Sequence, residues 1–259
     1  MNWEHRVSQE WLVARRDVLT ASEIKSLIPE WKRLAKKPLK PGEISPGFAG
    51  LWCQKNTDSI PDPVSWGAAA RGHYMEPYAV ETYNRFLGGE VFHHWDDCVI
   101  KSNGLGFSPD AMDVKQENPG VECRLAKGKL RYASGAEIPA PKRILEIKSY
   151  EPLHHMKSIL KDKMDHEELI QVAVAFAVLP KLEEATLLFY CPDAPYPAVF
   201  FEYGRDELKD EIERIEQISS FYATQSKLLE SLPIPRVEPV CSEAEVWRLE
   251  MTDVRVVRG

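Results

Sequence analysis

The apolar positions of the chain change period several times, and each change predicts an element. Ser8 is placed to cap a helix through VSQEWLVARR, and a second helix starts in LTASEIKSLI, where Thr20 and Glu23 form the T-x-x-E pattern of a capping box. Arg15 and Arg16 therefore fall just before a helix N-terminus. Between Lys32 and Ser65 no period survives: Gly42, Gly47, Gly50 and five prolines interrupt it, which predicts loop with short turns. A long helix is predicted from about Trp66 to Leu87, with Ala70, Tyr74, Tyr78 and Phe86 among its large or apolar positions. Gly88-Gly89 is its stop and Pro77 a kink within it.

The period then shortens to two. VFHHW, CVIK and GFSPDAMDV read as strands, and Asn103-Gly104 between the last two is the strongest hairpin signal in the chain. Residues 115–143 are a charged excursion carrying Lys115, Arg124, Lys127, Lys129, Arg131, Lys142 and Arg143, and they lead into ILEIKSY. Helix LIQVAVAFAVL, strands ATLLFY and AVFFEY, and a long amphipathic helix from RDELK to LLESL follow. From Pro233 onward an extended tail with one short helix is expected. The alternation of helices and strands predicts an α/β fold around a mixed sheet, in a single domain.

ILEIKSY carries a charge pattern that a buried strand does not need. Side chains i and i+2 share a face, so Glu146 and Lys148 project together while Ile147 points the other way. Separate charges in an apolar interior are costly, so this face must either pair internally or meet something polar. Asp110, in a strand expected to lie beside this one, offers a second carboxylate. Asp110 and Glu146 on adjacent strands can share a hard cation such as magnesium, with Lys148 beside it to orient or deprotonate a water and offset charge on a phosphorane-like transition state. Pro109-Asp110, a long gap and Glu146-x-Lys148 form the PD-(D/E)XK nuclease signature.

Charge and cysteine content qualify this picture. A formal charge of -7 opposes DNA binding unless basic side chains are concentrated locally. Five cysteines without a CxxC pair point to free thiols in a reducing, cytoplasmic setting rather than a zinc or iron–sulfur site. No apolar run approaches the length of a membrane span, and the first residues lack the apolar stretch of a signal peptide.

Five blocks in order, WLVARRDVLTASE, ARGHYMEPYA, GFSPDAMD, LEIKSY and the glutamine of LIQVAVAFAV, resemble the lambda exonuclease and YqaJ-like viral recombinase family of DNA exonucleases. The resemblance runs from about Trp11 to Tyr203 and implies a restriction-endonuclease-like core, a mixed central β-sheet flanked by helices. It implies that Arg15 and Ser22 bind a terminal 5′ phosphate, with Arg16 the competing arginine. Asp110 and Glu146 match the principal metal ligands, the Ile147 carbonyl a further one, and Glu76 an acid that contacts metal directly or through water. Lys148 matches the catalytic lysine and Gln171 a glutamine that positions the active-site water or lysine. Taken without the family, Glu76 reads as an ion-pair partner of Arg71 or a lysine, Ser22 as a helix cap, and Gln171 as a polar residue finding a backbone partner.

The chain departs from the family pattern at Ala111, where glycine is common, and after the ExK strand, where a basic residue usually grips phosphate. Here His154, His155 and Lys157 are the nearest candidates, with His154 the expected contact. The activity implied is magnesium-dependent 5′→3′ degradation of linear duplex DNA, with manganese able to substitute, mononucleotide products and a 3′ overhang left for recombination. A single-strand annealing partner, a ring-shaped homotrimer and a phage or prophage origin in a bacterial cytoplasm follow from the same resemblance. Two other readings stand beside it: an endonuclease or nickase with the same metal site, and a DNA-end-binding protein that does not cleave.

Overall fold

Two five-stranded mixed sheets organise the protein, and the segment that crosses between them carries Asp110. The structure, a computed structural model, describes residues 9–56, 66–117, 122–160 and 166–232. The first sheet contains β1 (His93–His94), β4 (Ala111–Met112), β8 (Arg143–Ser149), β9 (Glu184–Tyr190) and β10 (Ala198–Gly204), in the order β1-β4-β8-β9-β10. Only β8 and β9 run parallel; the other pairs are antiparallel. The second sheet has the order β3-β2-β5-β6-β7, from β2 (Val99–Ser102), β3 (Leu105–Phe107), β5 (Glu122–Ala126), β6 (Lys129–Tyr132) and β7 (Glu137–Ile138).

The expected hairpin is present. β2 and β3 are joined by Asn103 and Gly104, both at positive φ (50° and 77°), the conformation of a two-residue type I′ turn. GFSPDAMDV is not one strand, however. Its first part is β3 of the second sheet, its last part is β4 of the first, and Asp110 lies in the bend immediately before β4. Proline at 109 cannot donate to a ladder, which suits a segment leaving one sheet for another. The charged excursion supplies β5, β6 and β7, so it extends the β2–β3 hairpin instead of forming an isolated loop.

Seven α-helices are present among the described residues. α1 (Gln9–Ala14) and α2 (Ala21–Lys36) flank the turn holding Arg15 and Arg16, and the backbone N–H of Thr20 donates to the Glu23 carboxylate at 2.8 Å as the sequence predicts. α4 (Trp66–Leu87) matches the expected span and ends where Gly88 adopts positive φ. The stretch 32–65 requires correction, because α2 continues to Lys36 and Pro46–Lys55 form α3. Pro46 occupies the first helical turn, where its missing N–H costs nothing. Phe48 and Leu51 are buried there; Phe48 meets Phe221 edge-on at 4.9 Å. Residues 57–65 of that stretch, Ser8, and the tail from 233 lie outside the described residues.

α6 (His166–Val178) lies in the larger core, and its Val172, Ala173, Val174, Ala175, Phe176 and Val178 are wholly buried. A helix apolar on all sides is one enclosed by protein. A second, smaller core joins Ala79, Val80 and Tyr83 of α4 to Leu145 and Ile147 of β8 and to Leu188 of β9. The greasy face of ILEIKSY therefore packs on α4, as the alternation requires. α5 (Pro152–Ile159) follows β8, and α7 (Lys209–Glu230) follows a short 3-10 turn, Arg205–Leu208. By internal contacts the chain divides into Met1–Leu229 and Glu230–Gly259. No helix among the described residues is long and apolar enough to cross a membrane.

Candidate functional site

Antiparallel pairing of β4 with β8 sets Ala111 opposite Leu145, which brings Asp110 and Glu146 together at the end of the β4 ladder. The backbone N–H of Ile147 donates to Asp110 Oδ2 at 2.6 Å, so the strand that bears Glu146 also fixes the aspartate. Lys148 Nζ donates to Glu146 Oε1 at 2.5 Å, and both side chains are largely buried. The two charged side chains of ILEIKSY thus satisfy each other directly. Glu76 joins the cluster from α4 and acts electrostatically on Asp110.

The charges of this cluster are unequal. Burial pushes the Asp110 carboxyl well above the usual carboxylate range, and the negative charges of Glu146 and Glu76 add to the effect. Burial alone would lower the Lys148 ammonium, but Glu146 and Asp110 outweigh it and raise it. Burial also works against the Glu76 charge, yet His73 Nδ1 at 3.2 Å from Oε1 and His94 Nε2 at 3.3 Å from Oε2 hold it down at about 2. The charged form of Asp110 is thus the one that burial and its acidic neighbours disfavour most.

Among the described residues no three His, Cys, Asp or Glu side chains close into a ready metal cage. The chemistry of the donors nevertheless fits a hard ion. Magnesium is commonly held by one or two carboxylates while keeping several waters, and Asp110 with Glu146 supply that pair.

A second group of polar side chains surrounds the turn before α2. Arg15 Nη2 donates to Ser22 Oγ at 3.3 Å, and its guanidinium lies 4.1 Å from the centre of the Trp11 ring. Trp11 Nε1 in turn donates to Ser108 Oγ at 3.1 Å, tying this turn to the crossing segment that carries Asp110. Burial lowers the Arg15 guanidinium from its ordinary value while Glu23 opposes the shift. The segment is docked on β3: Leu19 N–H donates to the Gly104 carbonyl and Gly106 N–H to the Leu19 carbonyl, at 2.8 and 2.9 Å.

The remaining sequence-predicted residues are placed as follows. Arg16 sits in the same turn as Arg15. His154, on α5, lies against the Tyr150 ring with centroids 4.5 Å apart, whereas His155 is fully buried and its Nε2 is 2.8 Å from the Tyr196 carbonyl oxygen. Gln171 is on α6, and no hydrogen bond among the described residues joins it to the Asp110–Glu146 pair. The basic side chains of the excursion are extensively paired: Arg124 with Glu122, Lys129 and Arg131 with Glu137, Lys142 with Glu183, and Arg143 with Asp113.

Three contributors escaped the sequence reading. His73 stands three residues before Glu76 on one helix, a spacing that puts the two side chains on the same face. His94 comes from β1, and Lys55 comes from α3, where its Nζ donates to the Arg15 carbonyl at 3.1 Å; neither contact has a local signal in the sequence.

No family model matches the chain, and no curated protein matches it. Two crystal structures of the alkaline exonuclease LHK-Exo from Laribacter hongkongensis resemble the fold, each over 86% of this chain and 96% of that one at a TM-score of 0.55. One holds dAMP and is 19% identical to this chain; the other is 18% identical. At this identity the likeness is one of fold.

Proposed function

We propose that the protein is a metal-dependent DNA exonuclease that degrades one strand of linear duplex DNA in the 5′→3′ direction. On this reading it releases mononucleotides and leaves a 3′ overhang for recombination. The observation that carries it is the meeting of Asp110 and Glu146 across the β4–β8 ladder, with Lys148 bonded to Glu146. The fold likeness to LHK-Exo, an alkaline exonuclease with a structure in complex with dAMP, supports the same activity and a restriction-endonuclease-like core for the first sheet.

Asp110, Glu146, the Ile147 carbonyl and Glu76 would hold magnesium, or manganese in its place. The ion when bound supplies Lewis-acid charge at the scissile phosphate. Lys148 carries its proton in this setting, so it serves to orient the attacking water and to offset the charge that builds on the phosphoryl oxygens. Gln171 assists in placing that water, and His154 contacts a neighbouring phosphate. Arg15 and Ser22 receive the terminal 5′ phosphate, where a guanidinium and the N-terminus of α2 converge. A homotrimeric ring would gather the basic side chains that the net charge of -7 otherwise dilutes, and a single-strand annealing protein would take the overhang.

Duplexes labelled at the 5′ or 3′ end, digested beside a covalently closed circle, test the polarity. Early loss of the 5′ label as mononucleotide with the circle intact is expected. A cut circle would instead make the protein an endonuclease, and binding without cleavage in either metal would make it an end-binding protein.

A further inference from the structure

Lys55 belongs to α3, in a stretch whose sequence predicts only loop with short turns, and its side chain is 7% exposed. All three of its donor directions are used. Nζ donates to the Val18 carbonyl at 2.5 Å, to the Arg15 carbonyl at 3.1 Å and to Glu23 Oε1 at 2.8 Å. A buried lysine is costly to keep charged, and burial does lower this one from its ordinary value against the pull of Glu23 and Asp17. It is therefore retained by specific partners, and two of those three are backbone carbonyls of the turn that bears Arg15.

The bonds around this lysine close a circuit. Glu23 Oε2 accepts from the Thr20 backbone N–H at 2.8 Å and from Thr20 Oγ1 at 2.9 Å. Thr20 Oγ1 lies 3.2 Å from Ser22 Oγ, which accepts from Arg15 Nη2. From Arg15 the main chain returns to the carbonyl that Lys55 holds. Lys55 pairs with Glu23, whose charge also acts on Arg15, while Asp17 is engaged by Lys101 at 2.6 Å. This locks the approach of the guanidinium to the α2 N-terminus and leaves positive charge there for an anion.

We propose that Lys55 is a positioning residue for recognition of the terminal 5′ phosphate. It clamps the Arg15–Val18 turn so that Arg15 and Ser22 face the phosphate together. This rests on the proposal that Arg15 and Ser22 bind that phosphate.

The test measures binding of a labelled duplex by anisotropy in EDTA, so cleavage does not contribute, with either a 5′ phosphate or a 5′ hydroxyl. Wild type is expected to prefer the phosphate. Lys55→Met should reduce that preference about tenfold, as expected when hydrogen bonds to a charged group are lost, with the hydroxyl duplex bound as in wild type. Lys55→Gln, which keeps two N–H donors without the charge, should fall between them. An unchanged preference in Lys55→Met, or an equal loss for both duplexes, would overturn the proposal. If Lys55→Met fails to fold by circular dichroism, Lys55→Gln decides it in the same way, and failure of both to fold makes Lys55 a residue of the fold alone. A wild type without phosphate preference overturns the positioning role, while the end-label digestion judges the exonuclease reading separately.

Discussion

Glu76 acts electrostatically on Asp110, and its immediate partners are histidines rather than Arg71. Each carboxylate oxygen faces one imidazole, His73 from the preceding turn of α4 and His94 from β1, so the side chain has little rotational freedom. Partners that orient a ligand contribute to metal affinity although they do not touch the ion. His94→Ala is therefore expected to weaken manganese binding roughly tenfold, with His94→Gln restoring part of it because an amide can still donate. Calorimetric titration checks this; equal affinity in wild type and His94→Ala would show that Glu76 needs no second partner. At this scale the sequence was legible where chemistry is encoded in short spacing. Glu146 and Lys148, two apart on one strand, are found from alternation, and Asp110 after Pro109 from its spacing to that pair. His94 and Lys55 act across the fold, so no local pattern marks them.

Elements were legible wherever a period ran unbroken, as in α4, α6 and β8–β10, and illegible where packing overrode local signals. α3 contains Gly47 and Gly50 and follows Pro46, yet burial of Phe48 and Leu51 makes it a helix. Its start is tied to its neighbours: Ser45 N–H donates to the buried Gln225 Oε1 at 2.7 Å, and Ser45 Oγ donates to Glu30 of α2. Arg33 and Ser45 together lower the Glu30 carboxyl to about 2. A folded-state value below the ordinary 4.5 contributes stability above that ordinary value, which is lost as pH falls from there toward 2. The urea midpoint of wild type should thus fall further between pH 6 and pH 3 than that of Glu30→Gln; equal declines would sink this assignment. Gly106 marks the other tertiary constraint, since a Cβ there would lie 2.5 Å from Val18 Cγ2. Gly106→Ala should cost about 1–3 kcal/mol by overpacking and push the Arg15 turn off β3. Denaturant titration gives the cost, and a variant as stable as wild type would mean that the turn yields freely.

For the whole molecule, the α/β class and the mixed sheet followed from the order of elements, but the division into two sheets did not. It depends on β3 and β4 parting at Ser108–Asp110, within a stretch that reads as continuous. The second sheet also absorbs the charged excursion, whose cations largely meet carboxylates of the same chain. DNA affinity on the proposed reading then arises from few phosphate contacts per protomer, and a plot of log affinity against log salt should have a shallow slope. A steep slope would relocate the DNA surface to other cations. The central claim is that Asp110, Glu146 and Lys148 form a metal-dependent nuclease site. Its most direct measurement is digestion of linear duplex DNA by wild type and Lys148→Ala, in magnesium and in EDTA. Wild type is expected to release nucleotides in magnesium only, with the folded variant slower by at least about a hundredfold. Release that persists in EDTA, or a Lys148→Ala protein as active as wild type, would contradict that claim.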